Sequence, residues 1–233
     1  MTDTSRIFVI IPAYNEEQSI AHVLNEIPKE LVEEIIVVNN ASTDSTAKVA
    51  KEAGATVLDE PTPGYGNACL KGIAYAKEKL PADASSIIVF MDGDHSDYPE
   101  QLPLLVDPIK HDGAEMVIGS RPLGQRESGS MTPQQIFGNW LATSLLKLFY
   151  GVTFTDLGPF RAIRFDKLLE IGMKDKTYGW TVEMQVKAAK KKLVCREVAV
   201  NYRKRIGVSK VSGTVKGTIM AGYKILFTIF RYL

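Results

Sequence analysis

Only two of the 233 residues are cysteine. Cys69 and Cys195 fall in neither a Cys-x-x-Cys nor a metal-ligand spacing, which argues against a disulfide framework and a thiolate zinc site. Two buried, reduced thiols fit a cytoplasmic setting. Charge of one sign is also missing in excess, with 28 basic against 27 acidic side chains and a formal net of +1. A nucleic-acid binder would show a clear basic surplus, so no nucleic-acid partner is expected. No run reaches the roughly 18 apolar residues of a spanning helix. The nearest, Ile225–Phe230, is bracketed by Lys224 and Arg231. Met1–Arg6 is short and polar and lacks the apolar stretch of a secretory signal. A Walker-type phosphate loop is absent. Gly64-Tyr65-Gly66 lacks the third glycine of a dinucleotide fingerprint and does not follow the first strand.

What is present is a core. Hydrophobic residues make up 45% of the chain, enough for one sizeable domain spanning 1–233. Up to Arg121 the chain alternates short apolar runs with helical patterns. Ile7–Ile11, Ile35–Val38, Ala55–Leu58, Ile87–Phe90 and Met116–Ile118 read as strands rich in Ile and Val, as strands buried on both faces are. Between them Glu17–Ile27, Ser45–Ala53, Asn67–Leu80 and Pro99–Ile109 read as helices, the last open to interruption by Pro103 and Pro108. After Arg121 come a polar loop, Gly124–Thr132, and a broadly apolar helix, Gln134–Tyr150. A strand near Phe160–Arg164, a helix from Thr181 to about Lys191, a strand Leu193–Val200 and a helix Gly213–Leu233 follow. The expected fold is α/β, a largely parallel sheet flanked by helices, with 1–121 as one functional half and 122–233 as the other. Ligands bind such sheets beyond the carboxyl ends of the strands, so the polar residues there are the candidates.

Three strand ends stand out. Asp92-Gly93-Asp94 closes a buried strand, and residues two apart in an extended segment project to one side. Two carboxylates so placed suit one hard cation that also bridges substrate phosphates; the plain alternative is a solvated Asp-Gly turn. The first strand ends Pro12-Ala13-Tyr14-Asn15-Glu16. Pro12 cannot donate to a ladder and marks the end of pairing. The second ends Asn39-Asn40-Ala41-Ser42-Thr43-Asp44, which reads equally as a turn and helix cap.

Together these segments resemble the successive motifs of family 2 glycosyltransferases with the GT-A fold. Gly119-Ser120-Arg121 and Gly207-Val208-Ser209-Lys210, preceded by Arg205, further resemble the dolichyl- or polyprenyl-phosphate sugar synthase branch. The resemblance covers essentially the whole chain. It implies a nucleotide-sugar donor whose diphosphate is held by Mg²⁺ or Mn²⁺ on Asp92 and Asp94. Pro12, Tyr14, Glu16 and Gly66 would line the donor pocket, with Asn40 near the base and Gly93 allowing close approach. Arg121, Arg205 and Lys210 would contact phosphates. Asp156, Arg161 and Trp180 fall on the implied acceptor side, and Glu183 matches an acidic position there. Inversion at the anomeric carbon is implied too.

Many relatives carry Asp-Asp where this chain has Asn39-Asn40. An Asn amide matches the single N–H and adjacent carbonyl of uracil, whereas guanine's two adjacent donors suit a carboxylate; a UDP-sugar is therefore expected over a GDP-sugar. A phosphate acceptor is already ionised near neutral pH and needs no protein base. A hydroxyl acceptor would need one, with Glu183 and Asp156 as candidates. The helix 134–150 and the C-terminal helix carry apolar stripes that ordinarily face a core. Their aromatics, Trp140, Tyr223, Phe227, Phe230 and Tyr232, beside Lys216, Lys224 and Arg231, also suit a peripheral membrane contact that gathers a lipid-phosphate acceptor at the inner face. The rival readings are a sugar-nucleotide nucleotidyltransferase and a catalytically idle nucleotide-binding module.

Overall fold

The computed structural model describes residues 5–81, 85–207 and 215–233. Its strands are β1 (Arg6–Ala13), β2 (Glu34–Asn39), β3 (Thr56–Asp59), β4 (Ser86–Phe90), β5 (Met116–Ser120), β6 (Arg161–Arg164) and β7 (Cys195–Ala199). They form one seven-stranded sheet in the order β3-β2-β1-β4-β6-β5-β7. Every neighbouring pair is parallel except those made by β6, which runs antiparallel between β4 and β5. Strands from both halves of the chain thus share one sheet.

Alternation along the strands loads both faces. Phe8, Ile10, Ile36, Val38, Ile88, Phe90 and Ile118 point to one core. That core is closed by α3 (Tyr65–Lys79), α5 (Pro133–Tyr150), α6 (Phe165–Ile171), α7 (Trp180–Lys190) and α8 (Val215–Arg231). Ile7, Val9, Ile11, Val37, Ile87, Val89 and Val117 point the other way, against α1 (Ile20–Glu26), α2 (Thr46–Glu52) and α4 (Leu102–His111). This double burial explains the unbroken apolar runs.

Three local expectations are revised. Pro12 does not end β1, because Pro12 and Ala13 still pair with Val38 and Asn39. Ala13 O accepts from Asn40 N, while Ile10 O accepts from Met91 N. Alternate residues address alternate neighbours, so the missing N–H of Pro12 faces β4, where the chain turns away at Met91. Helix α4 continues through Pro108, and Pro103 sits harmlessly in its first turn. Helix α6 follows β6 without a break.

The apolar stripe of α5 divides. Ala142, Thr143 and Leu146 are buried, but Ile136, Phe137, Trp140, Leu148 and Phe149 are exposed. On α8, Met220, Tyr223, Phe227 and Phe230 are exposed as well, and Phe149 meets Phe230 edge-on. Two members of the expected interfacial set turn inward instead: Lys224 pairs with Asp175 and the Tyr232 hydroxyl donates to Glu183. The Lys216 side chain lies outside the described residues. Among the described residues no helix is long and apolar enough to cross a membrane.

Candidate active site

The parallel strands end on one edge, and antiparallel β6 begins there. That edge therefore gathers Tyr14, Asn39, Asp92, Arg121 and, from the turn entering β6, Asp156 to Arg161. Segment 200–207 crosses the edge after β7, with Arg203 N donating to Ser96 O and Ile206 N to Asp94 O.

At its centre lie three carboxyl groups. Asp94 is 5% exposed; its Oδ1 accepts from the Ser96 backbone at 2.9 Å and the Ser96 hydroxyl at 2.5 Å. Its Oδ2 lies 2.7 Å from Arg205 Nη1. Asp92 Oδ1 is buried with no hydrogen-bond partner. Burial, then the neighbouring Asp94 charge, pushes the Asp92 carboxyl up to about 7 against the pull of Arg205. The third is Asp97, 1% exposed, with both oxygens unpartnered. Burial and the two other aspartates raise its pKa well above the ordinary value. Asp97 was not among the expected site residues. The only signal was a third Asp in Asp92-Gly93-Asp94-His95-Ser96-Asp97, and a turn of that length gives no side-chain direction.

Residues with an unsatisfied buried oxygen beside a second carboxylate fit a divalent cation. Among the described residues no three acidic, His or Cys side chains form a ready ligand cage. That matches an ion held by one or two carboxylates and otherwise by water and substrate phosphates.

Arg121 lies beside this centre. Its Nε and Nη2 donate to Asp156 Oδ2 and Oδ1, both at 2.7 Å, and its backbone N–H also reaches Oδ2 at 2.9 Å. The guanidinium sits over the Tyr202 ring, 5.0 Å from its centroid. Asp156 is wholly buried, so its role is to hold Arg121 and not to meet an acceptor or take its proton. Glu197 in turn fixes the Asp156 turn by accepting from Thr155 N and Asp156 N.

Several expected contacts prove internal. Arg161 is fully buried and donates to the carbonyls of Gly158, Leu157 and Thr181; burial lowers it to about 10. Trp180 is 1% exposed and packs edge-on against Phe90. Neither faces an acceptor. Glu183 is fully buried and accepts from Lys187 at 2.8 Å, Tyr232 at 2.7 Å, and the backbone of Lys174 and Asp175. Burial alone would raise it, but these donors together hold it below the ordinary value. Glu183 clasps α8 to α7 and has no oxygen left for catalysis.

On the donor side, Tyr14 is 45% exposed at the end of β1. Asn15 and Glu16 are engaged with the second motif: Asn15 Oδ1 accepts from Thr43 N, and Glu16 N donates to the Thr46 hydroxyl. Asn40 Nδ2 donates to Glu60 O and Thr62 O, and its Oδ1 accepts from Gly64 N. Both amide hydrogens are taken, so Asn40 cannot donate to a base carbonyl and the expected match to uracil loses its donor half; Oδ1 keeps one open lone pair. Gly66 is a packing position, since a Cβ there would lie 2.0 Å from Asp175 O. Gly66→Ala is expected to lower the thermal midpoint by several degrees through forced separation of this loop; an unchanged melting curve would contradict that. Lys210, with Val208 and Ser209, lies outside the described residues.

The glycosyl transferase family 2 model matches residues 8–172, a span that holds the paired carboxylates and Arg121. The chain belongs to glycosyl transferase family 2. Among relatives of this family 2 transferase is an uncharacterised glycosyltransferase of Mycobacterium tuberculosis, 35% identical over 92% of this chain and 94% of that protein. An undecaprenyl-phosphate mannosyltransferase of Micrococcus luteus is 32% identical over 91% of this chain and 90% of its own length. Glucosyl-3-phosphoglycerate synthase of Mycobacterium tuberculosis, crystallised with Mn²⁺ and UDP, superposes with a TM-score of 0.76 over 98% of this chain and 78% of that one. At 23% identity that likeness shows the fold, which is GT-A.

Proposed function

We propose that this glycosyltransferase moves a hexose from a nucleoside-diphosphate sugar to the phosphate of a polyprenyl phosphate, with inversion, and that Asp92 and Asp94 hold a Mg²⁺ or Mn²⁺ ion on the donor diphosphate. The observation that carries this reading is the pair of carboxylates closing β4, one oxygen unsatisfied, with Arg205 against the other residue. When bound, the ion supplies charge neutralisation for the departing diphosphate. Arg205 and Arg121 add fixed positive charge on that side, where charge develops as the bond breaks. An acceptor phosphate oxygen attacks the anomeric carbon, and the carbon–oxygen bond to the diphosphate breaks with its electron pair leaving on the nucleotide. The acceptor arrives ionised, so the loss of Glu183 and Asp156 as base candidates costs the mechanism nothing.

Two surface features support the lipid phosphate. A cavity of about 340 Å³ is lined by Arg126, Ser128 and Ser130 among others. It adjoins, through Ile136, an apolar groove with Phe137 and Trp140. A polar chamber opening onto an apolar furrow suits an anionic head with a hydrocarbon tail, and the exposed aromatics of α5 and α8 suit a membrane face. The names of the Micrococcus luteus relative and of a Methanococcus voltae relative, a UDP-N-acetylglucosamine–dolichyl-phosphate transferase, point the same way.

The test is to incubate the protein with Mn²⁺, radiolabelled UDP- and GDP-hexoses and vesicles containing undecaprenyl phosphate. Both nucleotides enter because Asn40 has no amide hydrogen left to pair with a base carbonyl. Label passing into the lipid fraction, and stopped by EDTA, is the expected result. Release of labelled hexose 1-phosphate that depends on added pyrophosphate, or nucleotide binding without transfer, would overturn the reading in favour of a nucleotidyltransferase or an idle module.

A further inference from the structure

Tyr65 is half-buried at the first turn of α3, and its hydroxyl is buried without a hydrogen-bond partner of ordinary length. Of the charged groups around it, Asp92 acts on it most strongly, ahead of Cys69 and Arg161. Asp92 Oδ1 is likewise buried and unpartnered. No bond of ordinary length closes on either group, yet a side-chain hydrogen-bond contact between the two raises the tyrosine and lowers the carboxyl, so a donor and an acceptor face each other. Leaving either buried group unmatched is costly, so the arrangement calls for a function.

The surroundings hold Tyr65 in place from three directions. Asn40 fixes Gly64 through the 2.7 Å bond to its N–H, and Gly64 takes a φ of 145° that a side chain would resist. Gly66 lets the Asp175–Lys176 backbone close over the same turn, and Asn67 N donates to Lys176 O at 3.1 Å. Residues expected to touch the nucleotide therefore build the platform that presents this hydroxyl to the cluster of aspartates.

We propose that Tyr65 is a positioning residue whose hydroxyl orients the Asp92 carboxylate for the divalent cation. The inference rests on the reading of Asp92 and Asp94 as cation ligands. It assigns the Gly64–Asn67 turn the task of supporting a ligand from behind, as outer partners of metal-binding carboxylates do. Tyr65→Phe keeps the ring and removes only the donor.

The experiment measures Mn²⁺ binding calorimetrically, without nucleotide, in the wild type, Tyr65→Phe and Asp94→Ala, with a thermal melt of each. Tyr65→Phe is expected to bind Mn²⁺ about tenfold more weakly at an unchanged melting midpoint. Its turnover should recover to near wild type when Mn²⁺ is raised to saturation, which a packing defect would not do. If Asp94→Ala loses Mn²⁺ and Tyr65→Phe binds it like the wild type, the positioning role is wrong and the cation site stands. If neither substitution changes Mn²⁺ binding, the cation site itself is wrong and the positioning role falls with it.

Discussion

Asp94→Ala is expected to fold normally and to transfer sugar at least about a hundredfold more slowly than the wild type, the scale for removing one electrostatic contact to a transition state. The structure explains why the fold should survive. The partners of Asp94 are the Ser96 turn and Arg205. The Arg205 side chain is 26% exposed, so water can solvate it once its partner is gone. The strands beneath are held by apolar packing that Asp94 does not share. Activity has no such substitute, because Asp92 alone would face the cation. Initial rates at saturating donor, with a circular-dichroism melt, check both halves; turnover near that of the wild type would remove Asp94 from the mechanism.

Asp156→Ala should damage both stability and activity. Asp156 is wholly buried and the Arg121 side chain is 11% exposed, so deleting the carboxylate strands a guanidinium that accepted burial only because it was paired. Breaking a buried ion pair from one side costs about 3–5 kcal/mol, which urea denaturation would record as a large drop in midpoint. Turnover should fall as well, since Arg121 loses the two bonds that aim it past Tyr202. The double variant Asp156→Leu with Arg121→Met separates the effects. Apolar replacement of both partners is expected to restore most of the stability and none of the activity. A single variant with a wild-type denaturation midpoint would show that the pair contributes nothing to the fold.

These two sites differ in how far they could be read from the chain. Asp92-Gly93-Asp94 directly follows an apolar run, and its position relative to the sheet follows from local order alone. The Arg121–Asp156 pair joins residues 35 apart across β5 and the entry to β6, and nothing local predicts that β6 inserts antiparallel between β4 and β5. The same limit explains the reassigned residues. Arg161, Trp180 and Glu183 sit in polar or turn-rich stretches, where a buried ligand of backbone carbonyls and an exposed binding group look alike. Asn40 illustrates the point most directly, since its three partners lie in the loop 60–64 and an amide with both hydrogens taken is indistinguishable in sequence from a free one. Helix α6 escaped notice because its seven residues follow β6 without turn chemistry, leaving periodicity no boundary to detect.

By itself the sequence determined the α/β class, all seven strands, the family and the edge of the sheet where chemistry belongs. Each of these follows from short-range order: hydrophobic period, strand-end polarity and motif succession. Only the tertiary structure decided which polar groups remain open. It left Asp92 and Asp97 unsatisfied, placed Arg205 on Asp94, and spent Asn40, Asp156, Arg161 and Glu183 on the scaffold. The physical reason is that hydrogen-bond satisfaction and desolvation depend on partners brought together from distant parts of the chain, and those partners exist only once the sheet has closed.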